Sequence, residues 1–246
     1  MSKLCLFVLA ISTLGPTTVA AQTGQRDGKG FLNVSVGYQP RVQDGSDSQS
    51  LSLYGEQGRV DARYGIRTGV LFDASGGVRV WRSLGVGLGV SWTASSRSGQ
   101  VAASVPHPLF TGRNRTANTA IADLNHTEVG VHVLAVWVVP VSDKVEVLLS
   151  GGPSIFNVRQ DVLARVDIVE TAPMPFDQVS VVPVTTEHRK TVTGANVGAE
   201  VTYMITRHLG GGFFLRYAGA KANLNLASGS LDVGGFQTGG GLRVRF

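Results

Sequence analysis

Residues 84 to 95 fall into two sets. The even positions hold Leu84, Val86, Leu88, Val90, Trp92 and Ala94, and the odd ones Gly85, Gly87, Gly89, Ser91, Thr93 and Ser95. Successive side chains of a strand point to opposite faces, so this separation predicts a ribbon with one apolar face and one small or polar face. It recurs along the chain. Leu32, Val34, Val36 and Tyr38 oppose Asn33, Ser35, Gly37 and Gln39, and Val70, Phe72, Ala74, Val78 and Val80 oppose Asp73, Ser75, Gly77 and Arg79. Val129 to Val139 alternate against Glu128, Gly130 and His132, with Leu134, Val136 and Val138 making that segment apolar on both faces. Four more segments follow around Val145–Ser150, Asn196–Tyr203, Gly212–Tyr217 and Phe236–Phe246. The pattern predicts eight strands, with a count of ten as the main alternative.

These segments run to about 10 residues or more, the length that crosses a bilayer at a tilt, whereas soluble strands peak near 5 to 6. Tyr38, Trp81, Trp92, Trp137, Tyr203 and Tyr217 stand near segment ends, where interfacial girdles belong. The predicted fold is therefore all-β, a transmembrane antiparallel up-and-down barrel. Three short connections resemble one another, Trp81 to Gly85, Pro140 to Lys144 and Thr206 to Gly210, spaced about sixty residues apart. The other four, near 40 to 65, 96 to 125, 158 to 190 and 219 to 230, are longer. Short turns on one side and long connections on the other predict periplasmic turns and extracellular loops. Within the first long connection, Leu51 to Tyr54 and Arg59 to Ala62 flank Gly55-Glu56-Gln57-Gly58, which predicts a hairpin extending the first two strands above the membrane.

Composition narrows the class. With 43% hydrophobic residues, 16% charged residues and 32 glycines among 246, the chain is neither a disordered tail nor a coiled coil. Lys3, the apolar run Leu4 to Leu14, Gly15-Pro16 and Val19-Ala20-Ala21 read as a signal peptide over residues 1–21, cleaved to leave a barrel domain over 22–246. Elsewhere the longest apolar stretch, Val133 to Val141, is about half a helical span. Cys5 lies in the signal, so the mature chain has no thiol for a disulfide, a metal or nucleophilic catalysis. It carries 21 basic and 17 acidic residues without a dense basic run, which argues against a nucleic-acid partner.

The hairpin Phe72 to Ser91 and the terminal Gly241-Leu242-Arg243-Val244-Arg245-Phe246 resemble the outer-membrane β-barrel superfamily that includes the N-terminal barrel of OmpA together with OmpX and OmpW. The resemblance implies a location in a Gram-negative outer membrane, with lipid and lipopolysaccharide as surroundings. It also implies that Gly241, Leu242, Val244 and Phe246 form the signal read by the barrel-assembly machinery. The family signal carries a polar residue where Gly239 stands here. The superfamily hosts adhesins, structural barrels, small pores and a few enzymes, so the resemblance speaks for architecture more than activity.

An eight-stranded barrel encloses a lumen just wide enough for side chains to fill. Its inward parity carries Asp73, Glu128, Glu146 and Glu200 against Arg79, Arg216, Arg243 and Arg245, and equal numbers predict a network of ion pairs. His126, Glu128 and His132 share one face of a strand, but no serine is marked as a nucleophile and alternation alone creates the grouping. Those two histidines stand roughly 20 Å apart along a strand, too far to share a metal ion. Neither cofactor nor metal is expected. His107-Pro108-Leu109-Phe110 and Pro173-Met174-Pro175-Phe176 place apolar residues between prolines in two long connections, as a cap over the mouth or a contact site for an extracellular ligand would. The expected function is a non-enzymatic barrel serving envelope integrity or surface interaction. The alternatives are a narrow conduit for small or apolar solutes and, further off, a lipid-A-modifying enzyme.

Overall fold

A computed structural model describes residues 29–40, 44–66, 68–226 and 229–246. The signal segment 1–21 lies outside the described residues. Ten strand segments follow in order: β1 (Gly30–Gln39), β2 (Asp44–Leu53), β3 (Glu56–Ile66), β4 (Gly69–Trp81), β5 (Leu84–Pro106), β6 (Asn114–Pro140), β7 (Val145–Glu170), β8 (Val179–Met204), β9 (Leu209–Leu226) and β10 (Gly229–Arg245). Among the described residues no helix is long and apolar enough to cross a membrane. The strands do the crossing.

Eight of the segments close a barrel in the order β1, β4, β5, β6, β7, β8, β9, β10 and back to β1, every pairing antiparallel. Closure removes the free edges that lipid cannot satisfy with hydrogen bonds. The seam joins the two ends of the barrel domain, with Gly30 N–H donating to the Phe246 carbonyl at 2.8 Å and Phe246 N–H returning to Gly30 at 3.0 Å. Strands β1 and β10 approach so closely there that a Cβ at Gly241 would lie 2.2 Å from Ser35 Oγ, which is why that position needs glycine.

The remaining two segments resolve the choice between eight and ten strands. β2 pairs with β3, and β3 pairs with the second half of β5, whose first half pairs with β4. They therefore prolong β1 and β4 above the barrel as a hairpin. Its turn is a two-residue one at Tyr54 and Gly55, with φ of 54° and 77°, placed ahead of the expected Gly55 to Gly58 tip. Two consecutive left-handed residues match the twist of the flanking strands.

The long connections are themselves largely sheet. About 9 to 11 residues suffice for a tilted strand to span a membrane, yet β5, β6, β7 and β8 have 23, 27, 26 and 26. The excess forms a crown in which the β2–β3 hairpin and the upper parts of β5 and β6 face the upper parts of β7 and β8. Between them lies an apolar core of Val60, Ala62, Val101, Ala103, Val105, Ala117, Ile121, Leu124, Leu163 and Val181.

Along β5 the apolar parity changes sides. Leu84, Val86, Leu88, Val90 and Trp92 are exposed on the outer face, whereas Val101, Ala103 and Val105 are buried on the inner one. The solvent decides which face is greasy: lipid around the lower half selects an apolar exterior, and water around the upper half selects an apolar interior. The aromatics mark the lower zone. Trp81, Trp137 and Tyr203 stand exposed near the short turns, and Tyr38, Trp92 and Tyr217 stand exposed farther along their strands toward the crown. Leu242, Val244 and Phe246 of the terminal segment also face outward.

Candidate functional site: the braced lumen and its crown

The inward parity of the membrane zone builds two polar layers. In the layer nearer the short turns, Arg245 Nη1 donates to Glu146 Oε1 at 2.5 Å, and Arg243 stands 3.7 Å from Glu146 and 3.0 Å from Glu200. Asn33 bridges them, its amide donating to Glu200 at 2.9 Å while its carbonyl accepts from Arg243 Nε at 2.9 Å. Arg243 also lies over the Phe31 ring, 5.0 Å from its centre.

In the second layer Arg216 Nη2 donates to Asp73 at 2.5 Å and its Nε to Gln237 at 2.8 Å. Gln237 then donates to Gln39 at 2.8 Å, and Gln39 to Glu128 at 3.2 Å. Glu128 also accepts from Gly234 N–H at 3.1 Å and contacts His126 Nε2 at 2.7 Å. The chain of contacts ties β4, β9, β10, β1 and β6 together across the lumen.

Charge counting thus anticipates the members of the layers better than their partners. Asp73, Glu146 and Glu200 meet Arg216, Arg243 and Arg245, whereas Glu128 belongs to an amide and histidine cluster. Arg79 corrects the expected four-against-four network. It is half-buried at the short-turn mouth, and no ion pair joins it among the described residues. The uncharged bridges Asn33, Gln39 and Gln237 carried one readable signal, polar amides on the inward parity of otherwise apolar strands.

His132 stands apart from His126 and Glu128. Its Nε2 lies 2.9 Å from Ser91 Oγ and its Nδ1 2.8 Å from Ser154 Oγ. Asn196 donates to Ser154 Oγ at 2.8 Å and to the Gly152 carbonyl at 3.0 Å, which anchors the serine beside the ring. All four side chains are buried. Among the described residues no cluster of three or more His, Cys, Asp or Glu side chains is arranged to hold a metal ion.

Apolar side chains fill the rest. Leu134, Val136, Val138 and Leu148 cluster toward the short turns, and Phe156, Val158, Ala218 and Val233 cluster between the second polar layer and the crown. A cavity beside Asn33, Asp73, Glu200 and Arg216 has a volume of about 40 Å³, on the scale of a water molecule or two.

At the crown tip the two proline-flanked segments are stitched together. Arg115, buried, is paired with Glu170 and donates to the carbonyls of Pro106 and Phe176 at 3.0 and 2.7 Å. His107 Nδ1 accepts from Leu109 N–H at 3.1 Å, and Asp177 lies 3.5 Å from its Nε2 and 3.1 Å from Arg113. Leu109, Phe110 and Met174 remain exposed, Met174 at 75%. The segments thus cap the crown through their polar atoms and present apolar side chains outward.

The Glu170 carboxyl is held below the usual carboxylate range, first by its hydrogen bond from Arg115, with partial burial opposing and the Tyr54 hydroxyl adding to the shift. Folding lowers this pKa from its ordinary 4.5, so the pair stabilises the tip fully above that value and loses its contribution as pH falls through the depressed one. Amide exchange in residues 106–115 and 170–178, corrected for intrinsic rates, is expected to be steady from neutral pH to about 5 and to quicken below. In Glu170→Gln that acid dependence should flatten. Equal acid sensitivity in the variant would assign the loosening to another group.

A closed, even-stranded antiparallel barrel with an apolar outer belt and aromatic girdles is the architecture of bacterial outer-membrane proteins, and this chain is a small barrel of that class. No protein-family model matches the sequence, and no curated protein matches it. Among solved structures the chain is similar to the outer membrane protein OprG of Pseudomonas aeruginosa at 9% identity and a TM-score of 0.49, covering 91% of this chain and 98% of that one. It is also similar to Neisserial surface protein A at 14% and 0.45, covering 89% and 97%. A third is the outer membrane protease OmpT of Escherichia coli at 9% and 0.40, covering 90% and 98%.

Proposed function

We propose that this barrel is a non-enzymatic membrane pedestal whose working surface is the crown. The observation that carries the reading is the filled lumen: two polar layers bonded across the barrel, with apolar clusters on either side and a crown core above. Charged groups bonded in this way hold the wall together, and a wall so braced suits a structural or surface-interaction role in the outer membrane. Single-channel recording from the refolded mature monomer in planar bilayers tests it. The expected trace shows only rare, small events. Steady large openings would overturn the reading in favour of a conduit.

A further inference from the structure

The short-turn mouth of the barrel has more positive charge than its ion pairs use. Lys29, Arg79, Arg243 and Arg245 line a cavity of about 10 Å³ there, and Glu146 is the one carboxylate in its lining. Glu146 and Glu200 match Arg243 and Arg245 in number. Among the described residues no ion pair joins Lys29 or Arg79, so two cations of the lining stand outside the ion pairs. Lys29 is exposed and Arg79 half-buried, so both can move toward a ligand.

A second observation concerns hydrogen bonding. Arg243 is 2% exposed, yet its Nη2 has no hydrogen-bond partner, and neither does the buried Nε of Arg245. Arg243 Nη2 does stand 3.0 Å from Glu200 as an ion pair, so the unfilled bond is clearest at Arg245 Nε. Unfilled guanidinium donors are costly to bury, and the bonds they lack are to acceptors.

We propose that this mouth is an anion site, taking a soluble phosphate group from the periplasmic side. A phosphate monoester or inorganic phosphate carries a charge of about −1.5 to −2 at neutral pH, which matches the two cations Lys29 and Arg79. Its several acceptor oxygens suit forked guanidinium donors. Arg79, Arg243 and Arg245 belong to the inward parity of the barrel rather than the lipid-facing one, which favours a soluble phosphate over the phosphodiester of a lipid headgroup. With a volume near that of one water, the cavity admits the group only as Arg79 and Lys29 shift around it.

The test uses the refolded mature barrel in non-ionic detergent, titrated with inorganic phosphate or with chloride at matched ionic strength, and reads the thermal unfolding midpoint. Phosphate is expected to raise the midpoint saturably and chloride to leave it unmoved. Arg79→Gln and, as a second variant before the first strand, Lys29→Gln should each weaken half-saturation about tenfold, the scale of losing one charge-assisted contact. Arg59→Gln, an exposed crown position, should leave it unchanged. Identical responses to the two anions, or full phosphate response in both mouth variants, would overturn the site. Displacement of phosphate by phosphatidylglycerol added to the micelle would overturn its assignment to a soluble ligand. Since the readout is binding rather than conductance, a conducting barrel would refute the pedestal without touching this inference.

Discussion

Asp73→Ala is expected to lower the unfolding free energy of the refolded barrel by about 3–5 kcal/mol, the usual consequence of leaving one member of a buried ion pair alone. Arg216 is the member left behind. Both side chains are 7% exposed, and their contact is 2.5 Å. Arg216 also anchors Gln237, and through it Gln39 and Glu128, so its displacement loosens the cross-bracing of five strands. The measurement is the urea midpoint in micelles, followed by the mobility shift between folded and heat-unfolded forms. The double variant Asp73→Leu with Arg216→Met should recover most of the loss, because apolar replacement of a whole buried pair is often neutral or stabilising. A single variant as stable as the parent would mean that the pair does not brace the wall.

Val101→Asp should have an effect of similar size in a different place. Val101 is 1% exposed within the crown core, and a carboxylate there meets no cation at its cross-strand partners Ala62 and Thr119 or among the surrounding Val, Ala, Ile and Leu side chains. Burying an unpaired charge costs several kcal/mol, which the crown avoids by opening. The crown stands above the apolar belt, so the eight-stranded wall should survive. Limited proteolysis is expected to cut the variant within 97–125 or 161–190 much faster than the parent, leaving a barrel core that still shows the folded mobility. Loss of the folded barrel itself would show that crown and wall form one cooperative unit.

Several features were legible in the residues. Complete separation of parities in 84 to 95 foretold lipid on one side, and the closing strand through Leu242, Val244 and Phe246 was readable from the same rule. Inward charges such as Asp73 and Arg216 followed from parity as well. The crown was harder to read, because in the long connections the apolar parity moves to the inner face. Strand pairing is interrupted there by register shifts such as those between Arg97 and Gly99 or Leu163 and Arg165. A bulge moves every later side chain to the other face, so alternation counted through it looks like irregular loop.

The sequence by itself determined the class: strands long enough to span, one lipid-facing parity, aromatic ends and a polar inner face. These are local consequences of a period of two and the solvent on each side. Only the tertiary structure decided which charges meet. Asp73 and Arg216 are 143 positions apart, and Arg243 reaches both Glu146 and Glu200 because the shear of a closed barrel sets heights that no single strand records. It decided too that Arg79 stays outside the pairs and that His132 faces serines, since pairing depends on register across strands rather than on order along one.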